Sequence, residues 1–279
     1  MSTTTIEHIV LFKVKDNTDP TEVNTMLTSL NALVSLDPVL HLAAAPLYRT
    51  KSSPIPFTHM LHSRYSSRDD LNAYTVHPSH LTAVKESVLP ICDDIMAVDW
   101  IADDLQGPIV LPPGSAIRVI FLKLKENLGE EVKDEILALI KGIKGSFGEI
   151  NQITCGENFS PARAKGYSIA SLAVFPGVSG IEAVDSKEEL VNLQREKVVT
   201  LGVADEADAI INGVQVPAGT PFTMACRAQV THPVNLAERD GIIQLELLSL
   251  FLLGKPATTR GAAVVEREKG LVRFLVGTA

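Results

Sequence analysis

Of the seven histidines in the chain, His8, His41, His59, His62, His77 and His80 fall in its first third. Imidazole is the side chain that changes charge between pH 5 and 8, so this is where acid–base or metal chemistry would reside. His59 and His62 have odd separation. On one strand they point to opposite faces and cannot form one site. His77 and His80 have the helical spacing of a metal-binding pair, but no nearby carboxylate completes a ligand set, so neither a metal nor a cofactor is expected. The sharper constellation is Tyr74-Thr-Val-His-Pro-Ser-His80, with His8 on an early strand-like run as a weaker third member. The adjacent acids Asp93-Asp94 and Asp103-Asp104 face apart in regular structure and read as solvated surface. There is no Gly-x-Ser-x-Gly, P-loop or dinucleotide glycine pattern, which leaves hydrolase, NTPase and Rossmann readings without a foothold.

The elements that must hold these residues come from a core-forming composition, 46% hydrophobic and 21% charged over 279 residues. With 25 Lys and Arg against 33 Asp and Glu, the net charge of −8 argues against nucleic-acid binding, which needs clustered positive charge. Cys92, Cys155 and Cys226 are odd in number and far apart, which suits a reducing compartment. The start, MSTTTIEHIV, has no basic, apolar signal pattern, and no run reaches the roughly 18 apolar residues that span a bilayer. The nearest, Gly241 to Gly254, is interrupted by Gln244 and Glu246. A cytoplasmic protein without membrane contact is expected.

An internal repeat organises the rest. His8-Ile-Val-Leu-Phe-Lys-Val-Lys15 matches Arg118-Val-Ile-Phe-Leu-Lys-Leu-Lys125, two strand-like runs apolar on both parities and therefore covered on both faces. A helix follows each. Asp19-Pro20 caps Val23, Met26, Leu27, Leu30, Leu33 and Val34; the second copy has Val132, Ile136, Leu139, Ile140, Ile143 and Phe147 and stops near Gly148. Then come strands over 39–48 and 150–159, and strands over 57–65 and 167–175. The second helices start at Ser67 and, after an apparent insertion of Pro176 to Asp185, at Ser186. Final strands are expected over 96–102 and 210–216. Each copy thus reads strand, helix, strand, strand, helix, strand, with copies at 1–105 and 116–216. Gln106 to Gly114, rich in Pro and Gly, is the linker. Residues 217–279 have no counterpart; their leucine-rich stretch, 242–253, is expected to be a loosely docked helix. Aligning Ser67 with Ser186 places Leu193 opposite Tyr74, Glu196 opposite His77 and Val199 opposite His80, so one site at most is expected.

A unit opening His-Ile-Val-Leu-Phe-Lys, carrying Tyr74-Thr-Val-His-Pro-Ser-His80 and ending around Val98-Asp99-Trp100, resembles the stress-response A/B barrel (Dabb) family. The second copy carries the likeness in Phe121-Leu-Lys-Leu-Lys125, Gly156-Glu-Asn-Phe-Ser160 and Gly166-Tyr167, and weakens after Val198. The resemblance implies an α+β, ferredoxin-like fold of dimeric barrel type. With two copies on one chain, it implies an intramolecular pseudo-dimer and a monomer in solution. Tandem plant members of the family include peroxisomal ones, although this chain ends Gly-Thr-Ala rather than Ser-Lys-Leu.

For function, the resemblance implies a stress-response protein that binds a small apolar ligand or acts through its own stability. The alternative is an enzyme like the family's olivetolic-acid-cyclase-type polyketide cyclases, which perform an intramolecular aldol condensation. In that reading His80 is the base and Tyr74 the donor to the developing oxyanion, with His8 and His77 as ligand-binding neighbours. Pro78 suits a first helical position; His80 is then third, where the helix dipole disfavours imidazolium and keeps the ring neutral.

Overall fold

The computed structural model describes residues 4–51, 56–103, 105–211, 263–268 and 271–276. The first copy runs β1 (Thr5–Val14), α1 (Pro20–Ala32), β2 (His41–Lys51), β3 (His59–Tyr65), α2 (Arg68–Val76), α3 (Pro78–Ala83) and β4 (Cys92–Ala102). The second runs β5 (Ala116–Leu124), α4 (Glu130–Ser146), β6 (Gln152–Glu157), β7 (Ile169–Phe175), α5 (Val178–Asp185), α6 (Glu188–Leu201) and β8 (Val203–Ile211). Local chemistry explains the boundaries. The Asp19 carboxylate accepts from the Thr21 amide at 2.7 Å and Pro20 opens α1; the Ser67 hydroxyl accepts from the Asp70 amide at 3.1 Å and opens α2.

The strands form two antiparallel four-stranded ferredoxin-like sheets joined edge to edge in the order β4-β1-β3-β2-β8-β5-β7-β6. The outer strands meet as well, since the Phe159 amide donates to the Asp99 carbonyl at 2.9 Å. A Cβ on Gly156 of β6 would stand 2.9 Å from the Ile101 carbonyl of β4, so only glycine allows that approach. The two copies therefore close a barrel within one chain, the pseudo-dimer the repeat predicts. Its interior is packed with side chains of both, among them Ile9, Leu11, Met60, Met96, Trp100, Val119, Phe121 and Leu172. The helices cover the outside: Met26, Leu30, Leu71 and Tyr74 pack on one sheet, Ile136, Ile140, Ile181 and Val184 on the other. Both faces of β1 are accordingly buried.

Two expectations need correction. Pro176 to Asp185 is not an insertion but carries α5, whose Ile181 and Val184 are buried on the sheet; the helix expected from Ser186 is present as α6, opening at Glu188, and corresponds to α3 rather than to α2. The β1–β3 register sets Ile6 opposite Tyr65 and the β5–β7 register sets Ala116 opposite Phe175, so the copies match at a constant offset of 110 residues. The last strand begins at Val203 rather than Ile210. Gly202, at φ 133°, stops α6, and β8 then pairs with β5 from Leu124–Val203 to Ile117–Ile211, completing the second copy.

Beyond the second copy, β9 (Ala263–Glu268) and β10 (Leu271–Val276) form an antiparallel hairpin belonging to a separate compact unit. The helix expected over 242–253 lies outside the described residues. No described helix is long and apolar enough to cross a membrane.

Candidate functional site

Tyr74 lies in the last turn of α2 and His80 lies in α3; His77 between them is extended, at φ −63° and ψ 134°. A residue before proline avoids the helical region, so α2 stops and α3 restarts in a new direction with Pro78 first. The bend brings the two rings to a centroid separation of 4.5 Å, tilted 47°. His80 Nδ1 lies 3.0 Å from the Thr75 carbonyl oxygen. A carbonyl only accepts, so Nδ1 carries the proton and Nε2 is left as the basic nitrogen. Burial lowers the His80 pKa; the Thr75 hydrogen bond opposes this, and the charges of His8, Arg163 and His77 reinforce it. His80 is therefore neutral near pH 7.

Behind Tyr74 is a buried polar set. The Tyr65 ring is 5.3 Å from that of Tyr74 and its hydroxyl is 2.9 Å from Ser63 Oγ. His8 on β1 lies 6.4 Å from Tyr74, centroid to centroid, and its Nδ1 is bonded to Asp99 on β4, directly opposite it in the strand register. Burial pushes both tyrosine pKa values well up, so the phenols stay protonated donors. Burial also acts to raise Asp99, but His8, Ser160 and Arg163 hold its carboxyl below the usual range. The structure thus unites Tyr74, His80 and His8. His77 stands apart: its Nδ1 accepts from the Ser79 amide at 3.1 Å, capping α3. Asp99, Tyr65 and Ser63 were missed, although strand alternation with His8 and β1–β4 pairing was the signal for Asp99.

With the offset of 110 residues, Val184 takes the place of Tyr74, Lys187 of His77, Leu190 of His80, Phe175 of Tyr65 and Arg118 of His8. The expected substitutes Leu193, Glu196 and Val199 are therefore not the counterparts, because the helix α5 intervenes. The second copy still lacks the Tyr–His pair. At Arg118 it carries an ion pair with Asp185, 2.6 Å, and Asp185 also binds Arg49 of β2.

A second constellation, also missed, lies inside the barrel. Glu7 accepts from His62 Nε2 at 2.7 Å, from Arg64 at 2.9 Å and from Thr154 of β6 at 3.0 Å. Arg64 donates in turn to Gln152 at 2.6 Å and to the linker carbonyls of Pro108 and Ile109 at 3.1 and 2.8 Å. Burial works against the Glu7 charge, but Arg64 and His62 outweigh it and hold the carboxyl far below its usual range. His41, its ring 5.1 Å from that of His62, is made less basic by burial, as is His62. These groups bind the two copies and the linker together. A surface groove of about 310 Å³, lined by Glu135, Leu139, Gly142, Gln194 and Lys197, lies between α4 and α6 and includes no residue of either constellation.

Comparison with known proteins agrees with this architecture. The family model of the stress-responsive A/B barrel domain matches twice, over residues 6–102 and 117–202. One stress-response A/B barrel domain-containing protein of Arabidopsis thaliana is 58% identical over 193 residues, 69% of this chain and 73% of that protein. A second protein of the same description and the same plant is 48% identical over 189 residues, 67% of this chain and 88% of that protein. Among solved structures, an anthrone oxidase-like protein superposes with a TM-score of 0.52 at 10% identity, covering 77% of this chain and 94% of the other, a likeness of fold alone.

Proposed function

The chain belongs to the stress-responsive A/B barrel domain family, and we propose that it acts in stress response by binding a small apolar molecule at the Tyr74–His80 cluster of its first copy. One observation carries this reading. Tyr74, His80, His8 and Asp99 converge on one place in the first copy, whereas Val184 and Leu190 stand at the matching positions of the second. The two copies share their fold, yet only the first places a phenol and an imidazole together on its helix side.

A second reading, intramolecular aldol condensation of a polyketide, is favoured by the state of His80. Its Nδ1 is committed to Thr75 and its Nε2 is neutral and basic, beside a phenol kept protonated by burial. In this reading His80 removes a proton α to a carbonyl and Tyr74 donates to the developing oxyanion. The test is incubation with a panel of linear polyketide thioesters, followed by mass spectrometry for bound and for cyclised material. Retained but unchanged thioester supports the binding reading; cyclised product lost in His80→Ala supports the enzyme. Neither retention nor cyclisation across the panel overturns both.

A further inference from the structure

The first copy's cluster is covered by a segment of the second. Between β6 and β7, the Asn158 side-chain oxygen accepts from the amides of Asp99 at 3.1 Å and Ser160 at 2.9 Å, and its Nδ2 donates to the Tyr167 carbonyl at 3.2 Å. One side chain thus fixes the segment to itself and to β4. The Phe159 ring packs on the apolar cluster that holds Tyr65 and Tyr74, with the Arg68 guanidinium 4.1 Å from its centroid. The short turn Pro161–Arg163 then presents Arg163, 56% exposed, with Nη2 3.9 Å from Asp99 Oδ2. That separation is too long for a hydrogen bond. Arg163 is a cation held over the Asp99–His8 pair, and near enough for its charge to depress the basicity of His80.

On the second copy's side the cross-copy arginine is Arg49, and it is bound in the ion pair with Asp185. Arg163 is the more exposed of these two arginines, and it lies 3.9 Å from Asp99. A guanidinium presents a planar fork that matches a carboxylate or phosphate. In a chain of net charge −8, an anion needs such a local cation to approach. The same two helices that carry Tyr74 and His80 also expose Val76 and Leu81, 69% and 54% accessible, surfaces for an apolar body.

We propose that Arg163 recognises the carboxylate of an otherwise apolar acid bound at the Tyr74–His80 cluster, so that the second copy supplies a specificity residue to the first copy's site. This rests on the reading of that cluster as a ligand site. The test is isothermal titration of the full chain with decanoate, decanamide and decyl phosphate. Wild type is expected to prefer decanoate over decanamide. Arg163→Gln should weaken decanoate roughly fivefold and leave decanamide unchanged, with partial recovery in Arg163→Lys. His80→Ala should weaken both. If His80→Ala changes neither probe, the cluster is not the site and the underlying reading fails. If His80→Ala weakens both but Arg163→Gln preserves the preference, the assignment of Arg163 alone fails. A stronger Arg163 dependence for decyl phosphate than for decanoate overturns the carboxylate in favour of a phosphate. Absence of saturable binding by all three probes overturns the proposal.

Discussion

The rings of Tyr74 and His80 stand 4.5 Å apart although the helix carrying one ends before the helix carrying the other begins. On an unbroken helix, positions six apart lie on different faces. The contact exists because Pro78 forces His77 out of the helical region. Pro78→Ala removes that restriction, and α2 and α3 are expected to fuse in part. Ligand or thioester binding should fall, while far-UV circular dichroism shows equal or greater helicity. Unchanged binding would show that the proline break does not set the site.

The second prediction separates the two rings by role. In the cyclase reading, His80→Ala lowers turnover by the ~10²–10⁴ expected for a lost general base, and Tyr74→Phe costs less because the ring stays in place. Product formation by mass spectrometry is the measurement. Equal rates in wild type and His80→Ala across the panel would leave only the binding reading.

The third concerns acid. Burial lowers the pKa of His41 and His62 in the folded state, so the unfolded chain, with histidines near 6.5, takes up protons first as pH falls. Their contribution is present in full above about pH 6.5 and is lost below it, with a slope of up to about 1.4 kcal/mol per pH unit for each. Glu7 acts in the same direction at lower pH, since its folded-state carboxyl is held far below its ordinary value. Urea unfolding between pH 7.5 and 5 should show a loss that sets in near pH 6.5 in wild type and is shallower in His41→Gln. An identical slope in the two would mean that His41 does not titrate with unfolding.

Much of this molecule was legible in the chain because two copies report on each other. The matching strand runs at His8 and Arg118 and the capped helix at Asp19-Pro20 follow from periodicity and cap chemistry, which are local. In the second copy the helix after Ser186 was legible as α6, but α5 before it was not: Pro176-Gly177 reads as a loop, and only packing of Ile181 and Val184 on the sheet reveals it. The Tyr–His pair lay in one contiguous motif. Asp99, Arg163 and the Glu7–Arg64–Gln152 network did not, because their partners are brought together by strand pairing and by closure between copies, which no local spacing encodes.

The fourth prediction tests that network. Glu7 and Arg64 have no exposed side-chain surface. Glu7→Gln leaves the Arg64 guanidinium buried without its carboxylate, and the loss of one partner from a buried pair costs about 3–5 kcal/mol. The cost is read from the urea midpoint at pH 7.5. A change below about 1 kcal/mol, the size of an ordinary point change, would mean that the linker carbonyls and Gln152 satisfy Arg64 by themselves.

The last prediction concerns closure of the barrel. Gly156 faces β4 so closely that an added Cβ would meet the Ile101 carbonyl at 2.9 Å and Trp100 Cδ1 at 3.0 Å. Both neighbours are held by the β1–β4 pairing, so Gly156→Ala must move β6 away from β4, at a cost of about 1–3 kcal/mol for overpacking. Gly148→Ala is the control, since nothing lies within 4 Å of its added Cβ, and its melting temperature should be near that of wild type. Parting β4 from β6 also exposes two strand edges that pair readily with other chains. Light scattering is therefore expected to give a monomer mass for wild type and Gly148→Ala, and a rising dimer fraction for Gly156→Ala as copies exchange between chains. A wild-type dimer would show that closure within one chain does not satisfy these edges. A monomeric Gly156→Ala of undiminished stability would show that the contact between β4 and β6 is not what closes the barrel.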